Sequence, residues 1–145
     1  MNGDLKFTDT NLFLYAFDDS DPVKGPRAEE WLSSLWDDRT GRISFQVLIE
    51  FYSVIRRKRP SESHDARVFV RKLLDWQPVG PNVETLESAW HLQDRYQLSW
   101  WDALIVAAAE AQGCRYLLSE DLQHEQSFGV VTVINPFLTS PNDLV

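Results

Sequence analysis

Four acidic residues occupy positions from which they could act together on one ligand. Asp9 and Asp121 each follow a short apolar segment, whereas Glu50 and Asp102 lie within apolar segments of helical spacing. Ligands of open parallel sheets gather at the carboxyl ends of the strands, where such acids would meet. Carboxylate oxygens are the ligands that Mg²⁺ and Mn²⁺ prefer. The positions therefore indicate a magnesium or manganese site.

Two of these acids also suit ordinary helix capping. Asp9 can cap a helix that begins near Thr10, which is typically worth about 1 kcal/mol. Asp102 completes the pattern Ser99-x-x-Asp102, which is that of a capping box. Asp102 is nevertheless the only charged residue from Ser99 through Ala109, where an unpaired carboxylate would be costly to bury. Spacing alone leaves both roles open.

The other two acids have a simpler alternative, which is exposure to solvent. Glu50 falls at the border of the apolar stripe of its helix, about 100° from the centre of that stripe. Asp121 stands beside Glu120, and adjacent acids in a loop are usually exposed; Glu120 also competes with it as the acid of this segment. The chain has 22 acidic residues, so some would fall near strand ends by chance.

The histidines, the cysteine and the apolar stretches argue against several other kinds of site and location. The histidines His64, His91 and His124 lack the short paired spacing of a zinc site. The single cysteine, Cys114, excludes an internal disulfide, and the N-terminus has no signal-peptide pattern, so we expect a cytoplasmic protein. The longest apolar stretch, residues 103–109, is far shorter than the roughly 20 residues of a membrane helix.

The net charge of −8 argues against a generic nucleic-acid binder. The basic residues are clustered, however, with four in succession at 56–59 and three more at 67, 71 and 72. This cluster suits either phosphate contacts or a solvated helix end favoured by the helix dipole. Bound divalent metal ions would cancel part of the negative charge locally.

The elements that must position these residues alternate between short strands and helices. We predict strands over 5–7, 41–45, 116–118 and 130–134, with a weaker candidate over 76–79, and a loop over 18–22. Helical spacing predicts helices over 11–17, 23–36, 63–75, 83–96 and 99–113, and one that is capped by Ser44 and ends before Pro60. Strands separated by helices indicate an α/β fold, a three-layer α/β/α sandwich with a short parallel sheet. A length of 145 residues suits one domain spanning 1–145.

The segments around the four acids resemble the signature blocks of PIN domains. In order, these segments are TDTNLFLYAFD, SFQVLIEFYSVIRRK, LSWWDALIVAAAE and LLSEDLQHEQSFGVVTVINPF. The similarity spans residues 7–137 and is greatest to the toxin nucleases of VapBC-type toxin–antitoxin modules. It implies a Mg²⁺- or Mn²⁺-dependent endoribonuclease whose catalytic acids are Asp9, Glu50, Asp102 and Asp121. One or two metal ions would be held by the three aspartates, with the glutamate acting directly or through water.

The resemblance extends to the residues beside the acids and to the partners. Ser119 matches the hydroxyl residue that precedes the fourth acid by two, and Thr8, Thr10 and Asn11 would orient the first acid. RNA is the implied substrate, a cognate antitoxin the implied inhibitor, and a homodimer the implied assembly. Some of the six tryptophans could line an antitoxin groove, although aromatic residues at helical spacing more often pack in a core.

Three other functions fit acids at strand ends. A haloacid-dehalogenase-like phosphatase would need a second acid two residues after Asp9, and that position is Asn11. A response-regulator-like domain would need a lysine after the last strand, where Asn135 and Pro136 stand instead. A catalytically silent binding module is the third, and a cleavage assay with added metal distinguishes it from an enzyme.

Overall fold

The computed structural model describes residues 3–18 and 20–144 and is built around a twisted sheet. Over these residues the sheet has five strands, in the order β2-β1-β3-β5-β4. All neighbouring pairs are parallel except β4 and β5, which form an antiparallel hairpin. The strands are β1 (Lys6–Thr8), β2 (Gly41–Arg42), β3 (Tyr116–Leu118), β4 (Ser127–Phe128) and β5 (Val131–Ile134).

Six α-helices in the described part of the chain pack on the two faces of this sheet and make the predicted three-layer α/β/α sandwich. Helix α1 contacts both α2 and α3, and α3 contacts α4; on the other side α5 packs along α6, which contacts β3 and β5. The helices are α1 (Thr10–Phe17), α2 (Lys24–Asp38), α3 (Phe45–Lys58), α4 (Ser63–Leu73), α5 (Val83–Tyr96) and α6 (Trp100–Ala111).

Local sequence signals account for where these helices begin and end. The side chains of Ser44 and Ser99 accept hydrogen bonds from backbone N–H groups in the first turns of α3 and α6. Gly113, with φ of +73°, follows α6 in the left-handed conformation that glycine adopts most readily. Helix α3 ends at Lys58, two residues before Pro60, which cannot continue a helix. These boundaries confirm the predicted caps.

Helix α6 forms part of the core where it lies against the sheet, as its composition predicts. Residues 105–109 of α6 are buried, and the four buried alanines of this helix allow close approach of α5 and of the strands. The largest fully buried side chains in the core are Trp31, Phe7, Phe13, Phe51 and Phe128. Of the helices described, none is long and apolar enough to cross a membrane.

The structure differs from the sequence prediction in its short elements. The candidate strand over 76–79 is wrong: Trp76 ends a 3-10 turn that continues α4, and Val79 makes only an isolated bridge to Ser44. Gln77 adopts φ of +55°, and Pro78 has no N–H to donate to a ladder, so a strand cannot form there. The strand predicted over 41–45 is shorter, because Ser44 turns away to cap α3.

Other differences lie in the loops. Strand β4 was not predicted, since two residues carry no periodic signal, and the turn at Gly129 (φ of +62°) that pairs it with β5 delays the start of β5 to Val131. In the predicted loop over 18–22, Asp18, Ser20, Asp21 and Pro22 are outside any helix or strand, and Asp19 lies outside the described residues.

Gly41 tests how closely the edge of the sheet is packed. A Cβ atom at position 41 would lie 2.7 Å from Cζ3 of Trp76, and that ring is itself confined between Trp36 and Phe13 at centroid distances of 5.6 and 5.7 Å. We expect Gly41→Ala to lower the free energy of unfolding by about 1–3 kcal/mol, measured by urea denaturation. Gly80→Ala is the control, because its Cβ would lie 3.7 Å from Phe45, an ordinary contact. Equal stability of the two variants would contradict this packing argument.

Candidate active site

The register of the two central strands brings Asp9 and Ser119 together. Thr8 of β1 is opposite Leu118 of β3, so Asp9 and Ser119 emerge side by side at the carboxyl edge of the sheet. The Oδ2 atom of Asp9 accepts a hydrogen bond of 2.9 Å from the Ser119 hydroxyl, and Oδ1 accepts one of 2.7 Å from the N–H of Thr10. Asp9 therefore caps α1 and faces the strand ends with the same carboxylate.

Asp121 joins this pair through two further hydrogen bonds. Its backbone N–H donates to the Ser119 hydroxyl oxygen at 3.2 Å. The side-chain amide of Asn11 donates to both carboxylate oxygens of Asp121, at 3.2 and 3.1 Å. A continuous hydrogen-bonded chain thus runs from Asn11 through Asp121 and Ser119 to Asp9, and it links residues 110 positions apart.

Glu50 and Asp102 approach the same cleft from helices. Glu50 lies on the exposed side of α3, and Asp102 lies in the first turn of α6, where its N–H donates to Ser99 Oγ at 3.1 Å. Although Glu50 keeps an exposed surface, partial burial of its carboxylate raises its pKa, and the negative charges of Asp121 and Asp102 raise that pKa further. Such mutual influence requires proximity, so the structure brings all four predicted acids into one region.

Burial also dominates the electrostatics of Asp9. Its carboxylate is surrounded by protein on nearly all sides, although part of the residue remains accessible, and this burial raises its pKa from 3.8 to about 6. The hydrogen bonds from Thr10 and Ser119 oppose the rise, whereas the charges of Asp121 and Glu50 add to it. The pKa of Asp121 is raised too, first by burial and then by the charges of its acidic neighbours.

The acids lie near one another without forming a closed metal cage. Within residues 3–18 and 20–144, no three His, Cys, Asp or Glu side chains are placed to hold one metal ion together. The charges that shift the pKa values of Asp9, Glu50 and Asp121 are all negative. This donor set fits Mg²⁺ or Mn²⁺, because such ions keep several waters and need only one or two carboxylates directly. A bound cation would also relieve the repulsion among the acids.

The sequence left open whether Glu120 or Asp121 is the fourth acid of the site, and the structure gives the two side chains different partners. Glu120 forms an ion pair with Lys24 at 2.8 Å, and Lys24 Nζ also lies over the rings of Tyr15 and Phe137. Glu120 is thereby held to α2, while Asp121 is joined to the chain of hydrogen bonds at the strand ends. This arrangement favours Asp121 as the fourth acid. Nothing in the sequence relates Lys24 to a partner 96 positions away, and its role was missed for that reason.

The polar residues beside Asp9 act differently from one another. Thr10 orients Asp9 through its backbone N–H; its hydroxyl lowers the pKa of Glu50 but makes no hydrogen bond of regular geometry. Asn11 orients Asp121 instead of Asp9. Thr8 is buried, and its hydroxyl has no hydrogen-bond partner among the described residues.

This arrangement of acids on an α/β/α sandwich can be compared with known proteins. The family model that describes the PIN domain matches residues 6–126, a range that includes all four acids. The chain belongs to the PIN domain family. A comparison with curated protein sequences found no match.

Solved structures share the fold of this PIN domain at low sequence identity. A toxin–antitoxin complex from Klebsiella pneumoniae has a TM-score of 0.68 at 16% identity, over 90% of this chain and 97% of that one. VapBC2 from Rickettsia felis, bound to a promoter DNA fragment, also scores 0.68 at 16% identity, over 89% and 96%. VapC20 of Mycobacterium tuberculosis, described as a sarcin–ricin loop cleaving toxin, scores 0.60 at 20% identity, over 80% and 91%.

The raised pKa of Asp9 makes the stability of the PIN domain depend on pH. Because the folded pKa of about 6 exceeds 3.8, the folded state binds the proton more tightly, and stability falls as pH rises from about 4 to about 6. Asp9→Asn keeps a good helix cap and removes the buried charge. In EDTA at pH 8 we expect it to raise the free energy of unfolding by about 2 kcal/mol and to flatten this pH dependence.

Urea denaturation at pH 4 and pH 8 measures both effects. The control is Asp94→Asn, the same substitution at an exposed position on α5, which should change the free energy of unfolding by less than about 0.5 kcal/mol. If the free energy of unfolding changes between pH 4 and pH 8 by the same amount in the wild type and in Asp9→Asn, Asp9 carries no buried charge.

Proposed function

We propose that this PIN domain is a metal-dependent endoribonuclease that acts in the cytoplasm as the toxin of a toxin–antitoxin pair. The observation that carries the proposal is the convergence of Asp9, Glu50, Asp102 and Asp121 at the carboxyl edge of the sheet, with raised pKa values at three of them. The whole chain would work as one nuclease domain. A homodimer stays a prediction.

Each acid has a stated part in the proposed reaction. Asp9, Asp102 and Asp121 would hold one or two Mg²⁺ or Mn²⁺ ions, with one or two carboxylates binding each ion directly and the others acting through water, and with Glu50 in contact directly or through water. When bound, such ions lower the pKa of a coordinated water and offset negative charge on the phosphate. Ser119 and Asn11 would orient the carboxylates of Asp9 and Asp121 by the hydrogen bonds described above.

The similar structures support the choice of substrate and partner. VapC20 is described as cleaving the sarcin–ricin loop, which is an RNA target, and the Klebsiella pneumoniae structure is a complex of a toxin with its antitoxin. We extend both properties to this chain as part of the proposal: an RNA phosphodiester bond as the substrate and a cognate antitoxin as the partner. The shared fold and the four acids support this extension.

A groove with two cations in its lining bears on the objection that the chain is acidic overall. The groove measures about 350 Å³ and extends from Asn11 to the C-terminal end of α3, where Lys58 and Arg59 line it together with Asp18 and Asp21. Arg59 is engaged in ion pairs with Asp18, at 2.8 Å, and with Glu62. Lys58 forms no ion pair with the described residues, so its charge remains available to a phosphate.

Removal of one acid should abolish cleavage without unfolding the protein. We expect Asp9→Asn to lower Mg²⁺- or Mn²⁺-dependent cleavage of single-stranded RNA by more than about 100-fold, since loss of a residue that only orients a ligand already costs about 10–100-fold. Ser119→Ala should lower the same cleavage by only about 10–100-fold, because Ser119 orients the acids without binding the metal. Asp94→Asn is the matched control and should cleave as the wild type does. EDTA should stop cleavage, and full activity of Asp9→Asn would refute the assignment.

Lys58 should contribute to RNA binding through one phosphate. In EDTA, which prevents cleavage, the logarithm of the association constant should fall with the logarithm of salt concentration, and Lys58→Ala should reduce this slope by about 0.7. Lys72→Ala is the control, because Lys72 is an exposed lysine at the end of α4 that does not line the groove. If both variants keep the wild-type slope, the groove does not carry the RNA backbone.

A further inference from the structure

A second groove opens on the other side of Glu50, and its walls are apolar. It measures about 660 Å³ and lies between the start of α3, residues 79–81 and the first turn of α6. Three large side chains that line it remain unusually accessible for their type: Phe45 at 41%, Ile49 at 65% and Trp101 at 65%. Among the described residues that line it, Glu50 alone is charged.

This apolar groove borders the acids at Glu50 and at Trp101, the residue before Asp102. Glu50 lines the groove and is close enough to Asp121 and Asp102 for their charges to raise its pKa. Trp101 directly precedes Asp102 in the first turn of α6, and the side-chain amide of Gln46 on α3 reaches the carbonyl oxygen of Trp101 at 3.5 Å. A strand whose phosphate lies at the acids would therefore have its next nucleotide within reach of the indole ring.

The chemistry of the groove selects which part of a nucleotide it can hold. A phosphate is excluded, because the lining offers a carboxylate and no cation. A nucleobase fits, since it is neutral and has apolar faces that stack on an aromatic ring. The N–H groups at its edge can also donate hydrogen bonds to the Glu50 carboxylate. Bases inside a duplex are stacked on one another, so only an unpaired base can enter.

We infer that Trp101 stacks on an unpaired nucleobase next to the cleaved phosphodiester bond, which makes the substrate single-stranded at that point. This inference rests on the proposed ribonuclease function and adds a binding residue that is not one of the four acids. A segment of a partner protein is the competing occupant. Glu50 and Trp101, the neighbour of Asp102, both line the groove, so a base of an RNA strand held at the acids is favoured over a protein segment.

The test is a double-mutant cycle between the protein and the RNA. The substrate is a fluorescein-labelled single-stranded RNA cut at one mapped position, used intact and with an abasic residue on either side of the cut. The proteins are the wild type, Trp101→Ala, Trp101→Phe and the control Trp90→Ala. Trp90 is an exposed tryptophan on α5, stacked on Trp100 and outside the groove. Thermal unfolding of each variant establishes that it is folded.

On intact RNA we expect Trp101→Ala to lower kcat/KM by about tenfold, the effect of losing one base–aromatic stack, and Trp101→Phe to retain most of the activity. Trp90→Ala should remain within about twofold of the wild type. With the abasic residue at the contacted position, the wild type and Trp101→Ala should become equal. An equal loss on intact and abasic RNAs, or no loss at all, would overturn the inference. So would a Trp101→Ala variant that cleaves normally but no longer binds a cognate antitoxin.

A binding measurement separates failure of the inference from failure of the proposed function. In EDTA, the same intact RNA should quench tryptophan fluorescence of the wild type more than that of Trp101→Phe. If the wild type cleaves no RNA with Mg²⁺ or Mn²⁺ but shows this difference, the nuclease proposal fails while base binding stands. If the wild type cleaves RNA and the two proteins are quenched equally, Trp101 does not contact a base.

Discussion

The burial of the Asp9 carboxylate between the ends of β1 and β3 is the constraint on which the site depends. Burial opposes the charge of this group, and the nearby charges of Asp121 and Glu50 oppose it further. The fold tolerates the cost because the Ser119 hydroxyl and the N–H of Thr10 stabilise the ionised form. Because these acids repel one another, a divalent cation that binds between them relieves the repulsion and is held more tightly.

The same few hydrogen bonds serve the fold and the site at once. Asp9 caps α1 and Ser99 caps α6, and each cap fixes the start of a helix that carries polar groups into the cleft. The capping and metal roles that the sequence presented as alternatives for Asp9 are therefore compatible in the structure. Helix α6 can place Asp102 at its accessible first turn because the rest of the helix is anchored in the core.

Charge is distributed unevenly over the molecule, and this matters more than the total of −8. The acids lie near one another at the sheet edge, and Lys58 in the last turn of α3 lines a groove that begins at Asn11. On the other side of Glu50 the surface is apolar and has no cation. In the proposed complex, an RNA strand would contact Lys58 through a phosphate and Trp101 through a base, with the acids between them.

The sequence by itself determined the fold class and most helix boundaries, because helical spacing and caps are local signals that survive in any tertiary context; the four acids it singled out as a site stay a prediction. It could not place β4 or exclude a strand at 76–79, where two or four residues carry too little periodicity. Only the tertiary structure decided that Glu120 pairs with Lys24 and that Asn11 holds Asp121, since these contacts join residues about 100 positions apart. Strand register brings such residues together, and register depends on the packing of the whole sheet.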